Sequence, residues 1–245
     1  MRECIFCSSK ASINREHLWP AWVIKSVIQN RSSAIERVIG RKAPITRVGD
    51  LKARCICKQC NEGWMSALEN SAKPILEPMF HDSPSAIDSV QQRAIAVWTI
   101  KTAMVFECVK RDSAFYSTQD RCHLLNSSAP PPDTLIWIGR YVNSQSLFVE
   151  NHYLSNPKPT SVLGEGCATT FAVGRLVIQS FTVRRSTNGE GKRIVVDIKN
   201  GQWDHLLIQV WPVLERVICW PPSLDFGPSV ESLEKLAKRF GGRKK

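Results

Sequence analysis

The sequence has no apolar run near the roughly 18 residues that a membrane-crossing helix needs, so a membrane is not expected as a partner. Its start, Met1-Arg2-Glu3-Cys4, lacks the apolar h-region of a secretion signal, which points to a cytoplasmic location. No internal repeat is visible. Acidic side chains are in short supply: 22 Asp or Glu stand against 33 Lys or Arg, a net charge of +11. An excess of that size favours a polyanion, held through phosphate contacts and counterion release. The excess is uneven. Residues 1–75 hold thirteen Lys or Arg against six Asp or Glu, and Lys235 to Lys245 hold six basic residues and no acidic one. A solvated surface or an unstructured tail is the plainer reading of the same charge.

What is present is ordinary for a globular chain, 43% hydrophobic and 22% charged residues. A core is expected after position 75. The more polar first 75 residues are expected to need a metal to fold, so that removing it melts them and spares the rest. The nine cysteines, in a chain without a secretion signal, read as reduced thiols. Four fall in two pairs, Cys4-Ile5-Phe6-Cys7 and Cys57-Lys58-Gln59-Cys60. Two such knuckles make a tetrahedral four-thiolate site for a structural Zn²⁺. Cys55, Cys108, Cys122, Cys167 and Cys219 lack this spacing and read as small buried hydrophobes.

Between the knuckles lies Arg15-Glu16-His17-Leu18-Trp19-Pro20, and Asn61 follows the second one. These residue types suit phosphodiester hydrolysis. Water is a weak nucleophile, and an imidazole such as His17 is a suitable base near neutral pH. A divalent ion on a few oxygen ligands stabilises the leaving group. Glu16, Asn61 and Glu69 are the candidate oxygens, and a carboxylate-rich set suits Mg²⁺ or Mn²⁺. Glu69 lies two turns after Asn61 on an expected helix. Its alternative is a surface pair with Lys73, and Asn61 can also serve as a helix cap. Arg15, Lys52, Arg54, Lys58 and Lys73 are candidate phosphate contacts. Trp19, Trp22 and Trp64 could stack on bases, with core packing as the competing role. His81, His123, His152 and His205 have no motif around them.

Three segments are expected in an α+β chain. Residues 1–75 form a zinc-stapled module, with a short helix over Ala21 to Gln29, loops and a hairpin over Asn30 to Asp50, and a helix from Asn61 to near Lys73-Pro74. Residues 76–126 are a helical connector. Its strongest signal, residues 86–110, predicts a long core helix with Ile95, Trp98, Ala103 and Phe106 inward. A proline-rich linker spans Ser127 to Asp133. Residues 134–245 read as a mainly antiparallel sheet domain: Leu135–Val142, Ser146–Leu154, Thr169–Arg184, Arg193–Ile198 and Leu206–Leu214. Asn188-Gly189 is a turn, Pro221-Pro222 the close of the sheet, Ser232 to Phe240 a final helix, and the tail is basic. This last part carries no catalytic motif. It could recognise DNA, a ligand, a protein or a second copy of the chain.

CxxC, then Glu-His-x-x-Pro, then CxxC-Asn and a helix resembles the zinc-bound HNH endonucleases over about the first 75 residues. The run Cys60-Asn61-Glu62-Gly63-Trp64-Met65-Ser66-Ala67-Leu68-Glu69 is similar to a branch of bacterial HNH proteins. The resemblance implies a ββα-metal (treble-clef) fold and metal-dependent cleavage of DNA, with RNA as the other nucleic acid to test, in phage defence or mobile-element biology. It places His17 as general base, Glu16 as the acidic ligand before it, and Asn61 as the family's asparagine. The family's last His is absent, and Glu69 stands near its position. Residues 23–50 are then an insertion. The competing functions are a non-catalytic zinc-dependent nucleic-acid binder and an interaction protein working through residues 134–245.

Overall fold

The computed structural model describes residues 3–28, 35–38, 51–110, 114–143, 146–155, 163–185 and 203–240. The expected Asn188-Gly189 turn, the Arg193–Ile198 strand, the loops of 39–50 and the end of the basic tail lie outside them. The protein is α+β. Strands β1 (Ile13–His17) and β3 (Lys52–Cys57) form an antiparallel ribbon, with helix α1 (Ala21–Val27) and strand β2 (Ile35–Val38) between them in the chain. After β3 come the one-turn helix α2 (Lys58–Cys60), a wider π-type turn over Asn61–Met65, and helix α3 (Ser66–Met79). The expected stop at Pro74 fails. Pro74 and Pro78 lie inside α3, and the buried face of Ala72, Leu76 and Met79 outweighs the lost backbone hydrogen bond.

Strand β4 (Ser85–Ile87) pairs with β10 (Ile218–Trp220), and between them in the chain runs α4 (Ser89–Lys110), the long helix expected from the apolar pattern. Helix α5 (Thr118–Ser127) falls in the expected helical connector, although no apolar period singled it out. Its mean hydropathy is low, and it is started by a capping box between Ser117 and Asp120. Strands β5 (Thr134–Arg140), β6 (Ser146–Ser155), β7 (Leu163–Val173), β8 (Leu176–Arg185) and β9 (Ile208–Trp211) join β2 in one sheet, ordered β2-β6-β7-β8-β5-β9. The long Thr169–Arg184 strand is instead two strands folded at Gly174. There φ is +55°, and an added Cβ would lie 2.7 Å from the Phe80 carbonyl oxygen. The turn docks on the end of α3. Asp82 takes Arg140 at 2.7 Å and Arg175 at 3.1 Å, and the Arg175 N–H donates to the Phe80 carbonyl.

The first 75 residues do not stand apart. Strand β2 pairs in parallel with β6 and so supplies the edge of a sheet otherwise built by the second half. Trp19, fully buried, meets Phe171 edge-on at 6.0 Å. One continuous core runs from Cys4 and Phe6 through Trp98 and Phe106 to Ile178 and Trp220. Alternation along β6 sends Leu147 and Val149 into that core. It sends Phe148 to the other face, under Leu233 and Leu236 of helix α6 (Val230–Ala237). Among the described residues no helix is long and apolar enough to cross a membrane.

Candidate functional site

The cysteine corner is built at the Ile13–Cys57 end of the ribbon. Ile5 N–H donates to the Cys55 carbonyl at 3.0 Å and ties the first knuckle to β3. Cys57 closes β3, and its sulfur accepts the Cys60 N–H at 3.4 Å. The Sγ atoms of Cys4, Cys7, Cys57 and Cys60 all lie within 4.8 Å of one another, and Cys7 and Cys57 are 3.7 Å apart. Four sulfurs in that space fit a tetrahedral Zn²⁺ with ~2.3 Å bonds. Burial resists ionisation of Cys7. Ser9, through its hydroxyl and backbone, with Cys60 and Cys4, nevertheless brings that thiol down to about 6. Burial holds Cys4 and Cys60 up, so loading a metal must expel their protons.

The other end of the ribbon carries the acid and the histidine. Successive strand residues face opposite ways. On β3, Lys52 and Arg54 are exposed while Ala53 and Cys55 are buried. On β1, Arg15 and His17 are exposed and Glu16 is half-buried; opposite Arg15 the register shifts by one residue, with Arg54 and Cys55 of β3 standing against it. His17 sits across from Lys52 and Glu16 across from Ala53. The outer face therefore carries Arg15, His17, Lys52 and Arg54. Glu16 turns inward, where its carboxylate accepts a hydrogen bond from the Asn61 side chain. Burial raises the Glu16 pKa. The Lys101 charge and the Asn61 hydrogen bond work against that, and the negative charge of Glu69 adds to it.

The expected cap role of Asn61 passes to Cys57. The Asn61 backbone is already within the helical turn, and its N–H bonds to Lys58. Glu69 is not an exposed helix carboxylate either. Its Oε2 accepts the Trp22 indole N–H at 2.7 Å and the Trp98 indole N–H at 3.1 Å, while Oε1 pairs with Lys101 Nζ. Lys73 pairs with Glu77 instead, at 3.9 Å. Lys58 is exposed and pairs with Glu62 at 3.8 Å. Among the described residues the cysteine quartet is the only grouping of three or more His, Cys, Asp or Glu ligand atoms, so His17, Glu16 and Glu69 do not form such a cluster.

The tryptophans pack. Trp22 stacks on Phe80 at 5.8 Å, and Trp64 meets Phe6 edge-on at 4.9 Å. His152 pairs with the buried Glu150 at 2.8 Å, and the His81 ring meets the Ser26 hydroxyl at 2.9 Å. Of the lone cysteines, Cys55 and Cys167 are buried and Cys219 is exposed, which the small-hydrophobe reading did not expect. The residues missed from sequence are Lys101 and Trp98, both on α4. The one signal was a lysine inside an otherwise uncharged run, Trp98-Thr99-Ile100-Lys101-Thr102-Ala103-Met104. No family model, curated protein or solved structure matches the chain.

Proposed function

We propose that the chain is a metal-dependent HNH-type endonuclease that hydrolyses DNA phosphodiester bonds. The placement of the half-buried Glu16, whose charged form the Asn61 side chain favours, next to the exposed His17 at one end of the β1–β3 ribbon carries the reading. Glu16 and Asn61 are 45 positions apart in the sequence and follow different knuckles, yet the fold joins a carboxylate to a carboxamide beside an exposed histidine. An ordinary core has no need of that pairing. Zn²⁺ on Cys4, Cys7, Cys57 and Cys60 is the structural staple of a ββα-metal module, the ribbon and α3 supplying its two strands and its helix.

Glu16 and Asn61 would hold the catalytic Mg²⁺ or Mn²⁺, which supplies positive charge to the phosphoryl group and the leaving 3′-oxygen. Two oxygen donors suit Mg²⁺, which keeps several waters. His17 takes the proton of the attacking water. Arg15, Lys52 and Arg54 share its exposed face and hold the phosphate backbone around the scissile bond. Lys58 and Lys73 stand on α2 and α3, off that face, and contribute less.

The test is incubation of zinc-loaded protein with supercoiled plasmid and Mg²⁺ or Mn²⁺, with a structured RNA in parallel. Strand breaks that require the added metal and vanish in Glu16→Gln are expected. Salt-dependent DNA binding without strand breaks under any metal would replace the enzyme by a non-catalytic binder. Cleavage of RNA alone would change the substrate.

A further inference from the structure

Both oxygens of Glu69 are already engaged. Its two oxygens take three donors from two other helices: Trp22 on α1, and Trp98 and Lys101 on α4. Lys101 is 3% exposed, and its ammonium also lies 5.5 Å from the Trp98 ring centroid. A buried ammonium left without a partner is strongly unfavourable, so an ion that drew Glu69 to itself would have to displace Lys101 and strand it. Lysine in the middle of a core helix has no packing reason to be there. Isoleucine or methionine would fill the space without a desolvation cost. What Lys101 faces is a glutamate, with a second carboxylate, Glu16, close enough to feel both charges.

We propose that Lys101 and Glu69 form a charge-neutral prop behind the Glu16–Asn61 pair, in which Lys101 holds Glu69 off the divalent ion and makes helix α4 part of the site. This rests on Glu16 and Asn61 being the ion's ligands. Lys101 is a positioning residue and touches neither substrate nor ion. Its effect is a charge count. Glu16, Glu69 and Lys101 together present one net negative charge to the ion. Removing the lysine charge makes it two, and removing the Glu69 charge makes it zero. Removing both restores one. A glutamine at 69 keeps an oxygen for the two indole N–H groups and leaves none for a metal.

The experiment is a Mn²⁺ titration of the full, zinc-loaded chain, following free Mn²⁺ by its EPR signal, with zinc content and thermal midpoint as controls of the fold. Glu69→Gln should weaken Mn²⁺ binding and Lys101→Met should tighten it. Each change should be roughly tenfold, as one unit charge gives at the effective dielectric of a half-buried site. The double variant should return to about the wild-type affinity, and Lys101→Arg should stay there throughout. A double variant as weak as Glu69→Gln overturns the prop and makes Glu69 a ligand. A Lys101→Met affinity equal to wild type also overturns it. Should Lys101→Met fail to fold, Glu69→Gln and the double variant decide. Opposite shifts in a protein that cuts no DNA sustain the prop while the nuclease reading falls. A protein that cuts with Mn²⁺ but ignores both charges does the reverse.

Discussion

At one end of the β1–β3 ribbon four sulfurs crowd within 4.8 Å. At the other, Glu16 meets Asn61, with Glu69, Trp22, Trp98 and Lys101 behind them. The sulfurs come from two tight turns. Four of them so close together could hold a metal such as zinc, which would have to displace the protons of the two thiols held up by burial. The carboxylate end has its own counter-charge and donors, drawn from α1 and α4. One end therefore offers a site for an ion, and the other is held by the core that the described residues share. The first should fail on chelation, the second on single substitutions far from it in sequence.

Chelation gives the largest expected effect. Structural Zn²⁺ is worth about 10–16 kcal/mol in small modules, as much as a whole domain's stability of about 5–15 kcal/mol. The sequence suggested that only residues 1–75 would melt. The shared core changes that expectation, because β2 is a strand of the large sheet and Trp19 packs on Phe171. Zinc removal should abolish the near-ultraviolet dichroism of both halves in one transition. Two transitions, with the sheet surviving, would separate the halves again.

The next effect is smaller and falls at the other end. Breaking the Glu69–Lys101 pair from either side should cost roughly 3–5 kcal/mol, because each variant leaves a charge buried. The double variant should cost less than either single change. Lys73→Ala, at the exposed Lys73–Glu77 pair, should cost under about 1 kcal/mol by the same thermal melt. Equal costs at the two pairs would remove the distinction between a surface ion pair and a prop.

The two ends also differ in how far they could be read from sequence. The quartet was legible because CxxC spacing is a local pattern with one dominant meaning. Glu16, His17 and Asn61 were named as candidates from the motif, but strand alternation, and so which way each side chain faces, required the pairing of β1 with β3. Lys101 was hidden in a run whose apolar period announced a core helix, and nothing in the spacing tied residue 101 to residue 69. Helix α3 was cut short because Pro74 is a breaker on local grounds, and the burial that overrides it is tertiary. The Thr169–Arg184 strand hid its turn because Gly174-Arg175 is a weak turn signal between two apolar runs.

The smallest effect belongs to the outer face of the ribbon. Arg15→Ala, Lys52→Ala and Arg54→Ala should each weaken DNA binding across sequences and lower the slope of log affinity against log salt by about 1. Lys58→Ala and Lys73→Ala should lower it less, since they stand on α2 and α3 and not on the outer face of the ribbon. Equal slopes for all five would make the charge a general surface property with no bearing on the site.

The most direct measurement is the single-turnover rate of DNA cleavage by His17→Ala beside wild type, at saturating DNA and Mg²⁺, in preparations of matched zinc content. Loss of the general base should slow the chemical step by roughly 10² to 10⁴, with DNA affinity and thermal midpoint unchanged. A His17→Ala protein that cuts at the wild-type rate would contradict the assignment of the exposed ribbon face as the place where the phosphodiester is broken.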